Sequence, residues 1–189
     1  MANIRQEQAN DAAARELLLD AAYGPARFAK TSERLREGRL PASGLSLVAV
    51  ENGQIVGTVR LWPITAGPAR PALLLGPLAV HADHRRRGIG SALVRQAVAR
   101  AREAGHPAIL LIGDAAYYGR FGFTAERTTQ LWMPGPFERH RLLGCELVTG
   151  ALDGARGLVG ATGKPAPTPN LNVLIARLEH GESTARRAA

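Results

Sequence analysis

Cysteine is almost absent from this chain. A single Cys145 among 189 residues excludes an internal disulfide framework and any zinc site built from several cysteines. Aromatic residues make up only 5%, and no series of them is spaced to stack nucleic-acid bases. No apolar run approaches the roughly 18 residues of a membrane span. Residues 1–22 carry charges throughout and do not read as a secretory signal. The expectation is a soluble cytoplasmic protein with no membrane partner, monomeric or homodimeric. Acid is the minority charge: 16 Asp+Glu against 24 Lys+Arg leave a net charge of +8. That balance favours an anionic partner. Six arginines (85, 86, 87, 95, 100 and 102) fall between His81 and His106, against only Asp83 and Glu103. Because no nucleic-acid motif accompanies them, a small phosphorylated ligand fits better than a nucleic acid. The 46% apolar share suffices for one domain that buries roughly 70% of its unfolded surface.

The apolar pattern alternates between strand and helix. Residues 4–6 read as a short strand. Asp11 is expected to cap a helix reaching Tyr23, with Ala14, Leu17, Leu18 and Ala21 as its apolar face. Residues 32–37 read as a second short helix closed by Gly38. Residues 45–50 and 55–62 flank Asn52-Gly53, the strongest short hairpin signal. Residues 72–80 form an apolar run in which Gly76-Pro77 should force a bulge or a splay. A long helix follows, with Ile89, Leu93, Val94, Ala97, Val98 and Ala101 as its stripe and Gly105 as its stop. Residues 108–112 read as a buried strand. Asp114 should cap a turn carrying Tyr117 and Tyr118, and Phe121-Gly122-Phe123 should open another strand. Residues 142–148 read as a last strand, 150–170 as loop and 171–178 as an apolar patch. This gives a domain over 1–150, a Gly/Pro-rich extension over 151–178 and a disordered tail over 179–189.

The chemistry concentrates in LLLGPLAVHADHRRRGIGSALV. A strand leads through a basic glycine-containing loop into a helix start. The first helical N–H groups have no partner within the helix and carry partial positive charge, so they can hold a pyrophosphate. Gly88 and Gly90 let the backbone approach the anion, Ser91 adds a hydroxyl, and Arg85, Arg86 and Arg87 add charge. The loop lacks the Gly-Lys-Ser/Thr ending of a Walker A motif. It also lacks the third glycine of the dinucleotide fingerprint, where Leu93 stands.

Arg85-x-x-Gly88-x-Gly90 resembles the acyl-CoA pyrophosphate loop of the GNAT superfamily of N-acetyltransferases. Ala115-Ala116-Tyr117-Tyr118-Gly119-Arg120-Phe121-Gly122-Phe123 resembles a later motif of that superfamily. YYGRFGF together with LGPLAV is similar to a bacterial subgroup of predicted N-acetyltransferases. The resemblance spans about residues 3–130. It implies an α/β acyl-CoA N-acyltransferase fold, with a mixed, mainly antiparallel sheet flanked by helices. It implies acetyl-CoA as cosubstrate and an amine acceptor, a small molecule or a protein. Two parallel strands, 72–80 and 108–112, would splay to admit the pantetheine arm. Leu78 and Val80 would line that arm, and the Val80 N–H would polarise the thioester carbonyl. Backbone amides from Arg86 through Ile89 to Ser91 would hold the pyrophosphate. Tyr118 matches the position that protonates the leaving thiolate, while Tyr117 reads as packing. Many relatives place a glutamate in the strand before the loop. Here Leu73-Leu74-Leu75-Gly76 offers none, leaving Glu51, Glu126 and His81 as weak alternatives. That gap also admits a non-catalytic acyl-CoA-binding sensor. No metal is expected.

Overall fold

A computed structural model describes residues 2–167. Strand β1 (Asn3–Gln6) pairs antiparallel with β2 (Ser46–Glu51), which turns through Asn52-Gly53 into β3 (Gln54–Ala66). Asn52 and Gly53 both have positive φ, +51° and +77°, as a tight hairpin of this twist requires. Strand β4 (Pro71–Val80) returns antiparallel to β3, and β5 (Ala108–Ile112) lies parallel to β4. Strand β7 (Leu142–Glu146) closes that side antiparallel to β5. Among the described residues the sheet runs β1-β2-β3-β4-β5-β7. This is the mixed, mainly antiparallel sheet expected from the sequence. None of the described helices is long and apolar enough to cross a membrane.

The central strands are apolar on both faces because both are covered. Side chains alternate across the sheet. Leu73, Leu75, Ile109 and Leu111 face helix α2 (Ile89–Glu103), which presents Leu93, Val94, Ala97 and Ala101. Leu74 and Leu110 face the other way, into a second core with Trp62, Ile64, Leu131 and Leu142. A Cβ at Gly57 would stand 2.9 Å from Leu93 Cδ1, so a glycine in β3 lets α2 approach the sheet.

The structure corrects several sequence expectations. Helix α1 (Ala12–Tyr23) buries Leu18 and Leu19 with Arg15, whereas Ala14 and Ala21 are exposed and Leu17 is 70% exposed. The rotation is set by charge. Arg15 and Arg60 both bind the buried Glu7 carboxylate, and Arg15 also holds Glu16. Asp11 does not cap α1 with its side chain. It instead binds Arg5 and accepts the Gln8 N–H at 2.7 Å. The second short helix is a 3₁₀ segment, Thr31–Leu35. Phe121-Gly122-Phe123 is no strand. A 3₁₀ turn over Gly119–Phe121 ends at Gly122, φ +88°, and buries Phe123. Strand β3 continues past Trp62 through Pro63, and β7 stops at Glu146 rather than residue 148. The stretch 150–170, expected as loop, contains β8 (Gly157–Ala161), paired with β3 and with the two-residue β6 (Leu131–Trp132). The patch at 171–178 and the tail at 179–189 lie outside the described residues.

Candidate active site

Two cavities meet the end of β4. The first follows from the loop sequence. His81 donates its N–H to Val56 O at 2.9 Å, so that amide faces β3. By strand alternation the N–H groups of Leu78 and Val80 face the opposite edge. That edge lacks a strand partner: β4 and β5 pair only at Leu73–Ile109 and Leu74–Leu110, then diverge. Gly76 and Pro77 form a bulge opposite the stretch of β3 between Val59 and Leu61, just past the last β4–β5 pair. The expected splay is present.

After Val80 a 3₁₀ turn over Ala82–His84 is capped by His81 Nδ1, which accepts the Asp83 N–H at 3.4 Å. Arg86 and Gly88 take left-handed backbone, φ +62° and +79°. Helix α2 then starts at Ile89, and the amides of its first turn have no partner inside the helix. A cavity of about 370 Å³ opens here, lined by Val80, Arg85, Arg86, Gly90, Ser91 and Tyr117 among others. Gly88 and Ile89 also border it. The two glycines serve differently. A Cβ at Gly88 would meet nothing within 4 Å, so its need is the left-handed φ. A Cβ at Gly90 would stand 3.1 Å from the Tyr117 hydroxyl and narrow the cavity.

Arg87 is the exception within the arginine triplet. Its guanidinium forms a bidentate pair with Glu51, both contacts 2.8 Å, and does not line the cavity. His84 Nδ1 lies 3.0 Å from the same carboxylate. Hydrogen bonding to Arg87 holds Glu51 below the usual glutamate range, which makes it a poor base. Tyr117, read from sequence as packing, is a wall residue with its hydroxyl 3.4 Å from Ser91 Oγ. Arg120 completes that wall, its guanidinium 5.1 Å from the centre of the Tyr117 ring.

The second cavity, about 530 Å³, occupies the gap between the diverging strands. Gly76, Leu78, Gly113 and Tyr118 line it together with Tyr23 and Arg36. Leu78 and Tyr118 therefore belong here and not with the phosphate-type donors. The Leu78 carbonyl accepts the Tyr23 hydroxyl, and the Val80 carbonyl accepts Arg85 Nε at 3.4 Å. Tyr118 rides on the short helix α3 (Ala115–Tyr118), whose start is capped by Asp114 accepting the Ala116 N–H at 2.8 Å. Burial pushes the Tyr118 phenol well above the ordinary tyrosine range. Glu51, Glu126 and His81 line neither cavity. Sequence reasoning missed Tyr23, Arg36, Gly113 and Arg120 as lining residues. Arg120 stands inside the recognised aromatic block and Gly113 just before it, so both were within reach. Tyr23 ends α1 and Arg36 follows the 3₁₀ segment Thr31–Leu35, and neither carried a motif. Among the described residues no cluster of His, Cys, Asp or Glu could hold a metal ion.

Residues 12–123 match the family described as the acetyltransferase (GNAT) family. The chain is 32% identical over 162 residues to an uncharacterized N-acetyltransferase, YhbS, of Escherichia coli strain K12, covering 82% of this chain and 93% of that protein. The crystal structure of Escherichia coli YhbS in complex with CoA superposes with a TM-score of 0.72 at 32% identity, over 85% of this chain and 89% of that one. A GNAT family acetyltransferase from Brucella melitensis, solved with acetyl-CoA, gives 0.58 at 30% identity, over 81% and 99%.

Proposed function

This chain belongs to the GNAT acetyltransferase family, and from that premise we propose that it moves the acetyl group of acetyl-CoA onto a primary amine by direct attack on the thioester. One observation carries the reading. The two residues of β4 whose amides lie on its free edge border different cavities: Val80 the one with the loop and helix-start donors, and Leu78 the one with Tyr118. A ligand with a pyrophosphate at one end and a thioester at the other can follow that edge from the first cavity into the second.

The pyrophosphate is held by the amides from Arg86 through Ile89 to Ser91, with Gly88 and Gly90 allowing their approach and Arg85 and Arg86 adding charge. Arg87 contributes through Glu51, which ties the loop to the β2–β3 hairpin. The pantetheine arm lies against Leu78 and Val80. Val80, the donor expected from the sequence, borders the first cavity, so its N–H holds the pantetheine arm; the Leu78 N–H, on the same free edge and beside the cavity with Tyr118, donates to the thioester oxygen as charge develops on it. The amine attacks as the neutral base, having given one proton to water in the open cavity. Its nitrogen bonds to the carbonyl carbon, the C–S bond breaks, and the thiolate takes the Tyr118 proton. The amide nitrogen releases its second proton to solvent, and Tyr118 is reprotonated from solvent. Burial keeps the Tyr118 hydroxyl protonated across the working pH range; because it also makes the phenol a weaker acid than a thiol, the proton passes to sulfur only in concert with C–S cleavage.

On this reading residues 1–150 form the transferase domain and β8 adds to its sheet. The activity belongs in the cytoplasm, where acetyl-CoA is available. A panel of primary amines incubated with acetyl-CoA and followed by thiol release tests the proposal. At least one amine should give release that depends on both substrates. Failure across the panel with acetyl-CoA still bound would favour an acyl-CoA sensor, the reading to which the missing carboxylate points.

A further inference from the structure

The second cavity holds more cationic donors than its carboxylates use. Arg27 is taken by Glu16 and Asp20, and Arg141 lies 3.5 Å from Glu138. Asp114 is occupied as the cap of α3. Arg36 differs from these. Its side chain is only 7% exposed, and a single nitrogen, Nη2, binds Glu33 at 2.6 Å and Ser32 at 3.5 Å. Its Nε is buried with no partner. Its Nη1 bonds to no described residue and lies on the β4 side, 3.8 Å from where a Cβ on Gly76 would sit. Lys30, over the Tyr23 ring at 4.3 Å, also borders this cavity and has no carboxylate partner among the described residues.

A guanidinium this buried is costly to leave with donors unsatisfied. Its planar fork matches a carboxylate better than any other common group. The position matters too. Arg36 sits beside the bulge at the splay, and the same cavity holds Leu78 and Tyr118. We propose that Arg36 binds a carboxylate on the acceptor, so that the acceptor class is amines bearing a carboxylate, such as amino acids. This rests on the transferase reading, in which the second cavity receives the amine. The carboxylate docks on Arg36, the amine is thereby held toward the thioester, and Lys30 draws the anion in.

The test compares each of a set of amino acids with its carboxamide as acceptor, by kcat/KM in the presence of acetyl-CoA. The carboxylate form should be preferred on the order of 10- to 100-fold, as expected for a charge-assisted hydrogen bond. Arg36→Met should bring the ratio close to one, and Arg36→Lys should restore part of it. Turnover without a carboxylate preference in the parent protein overturns the inference and leaves the transferase reading standing. A second arm needs no turnover: N-acetyl amino acids and their amides are titrated onto the CoA-bound protein and followed by thermal shift. Carboxylate-selective binding that Arg36→Met abolishes, with no amine ever acetylated, supports the anion site and sinks the transferase reading. No selective binding and no selective turnover overturns the inference.

Discussion

Tyr118 lies across Gly113. A Cβ on residue 113 would stand 2.3 Å from Tyr118 Cε2 and 2.6 Å from Cδ2. The glycine at the end of β5 is thus what lets the ring lie in the splay, with Tyr117, Phe121 and Phe123 packed edge-on around it. Gly113→Ala should push the ring out. Overpacking of this kind costs about 1–3 kcal/mol of stability. Turnover should fall by roughly 10²-fold, the lower end for a lost general acid. Acetyl-CoA affinity should change only a few-fold, because the phosphate loop is elsewhere. Parallel measurement of kcat and Kd checks this; an unchanged kcat would mean that the position of Tyr118 is immaterial.

Tyr118→Phe keeps the ring and removes the proton. Turnover should drop by roughly 10²-fold with little change in melting temperature, and Tyr117→Phe should be milder. Because burial raises the Tyr118 pKa, the parent enzyme should show no loss of rate from its ionisation between about pH 6 and 9. A full rate in Tyr118→Phe would remove Tyr118 from the chemistry.

The arginine triplet should divide. Arg85 and Arg86 border the first cavity, whereas Arg87 is spent on Glu51. Arg85→Gln and Arg86→Gln should weaken acetyl-CoA binding at low salt, with the penalty shrinking at high salt as screening grows. Arg87→Gln should matter less to affinity. Calorimetric Kd values at two salt concentrations decide it, and equal losses at all three positions would contradict the geometry.

Much of this architecture was legible beforehand, and the failures share a cause. The β2–β3 hairpin, α2, the loop at 81–91 and the splay at Gly76-Pro77 are written locally, in turn chemistry, periodicity and helix-start residues. Strand β8 is not. Gly157-Leu158-Val159-Gly160-Ala161 has weak strand propensity and becomes a strand because β3 runs on past Pro63 and offers it a partner. The face of α1 was misjudged because periodicity assigns arginine to solvent, whereas Arg15 is drawn inward by Glu7. Arg87 and Arg85 look alike in sequence, and only the fold shows that Glu51 stands beside one of them. Arg36 was invisible for the same reason: its importance lies in what surrounds it.

The ion pair between Arg5 and Asp11 joins β1 to the turn before α1. Hydrogen bonding to Arg5, and then to the Gln8 N–H, holds the Asp11 carboxyl down at about 2. Unfolded, it titrates near 3.9. The folded form therefore binds this proton less readily than the unfolded form does. The stabilisation is complete above about pH 4 and is lost as pH falls toward 2. Asp11→Asn should lower the melting temperature at neutral pH, and the gap to the parent should close near pH 2. A gap that persists there would show that the effect is packing and not charge.

The account turns on acetyl-CoA occupying the edge of β4, and thermal unfolding with and without that ligand tests it most directly. At about 100 times its dissociation constant, acetyl-CoA should stabilise the protein by roughly 2.7 kcal/mol. Gly88→Val, strained at its left-handed φ, should lose most of that gain. No shift of the parent protein at millimolar acetyl-CoA in low salt would contradict the enzyme and the sensor readings alike.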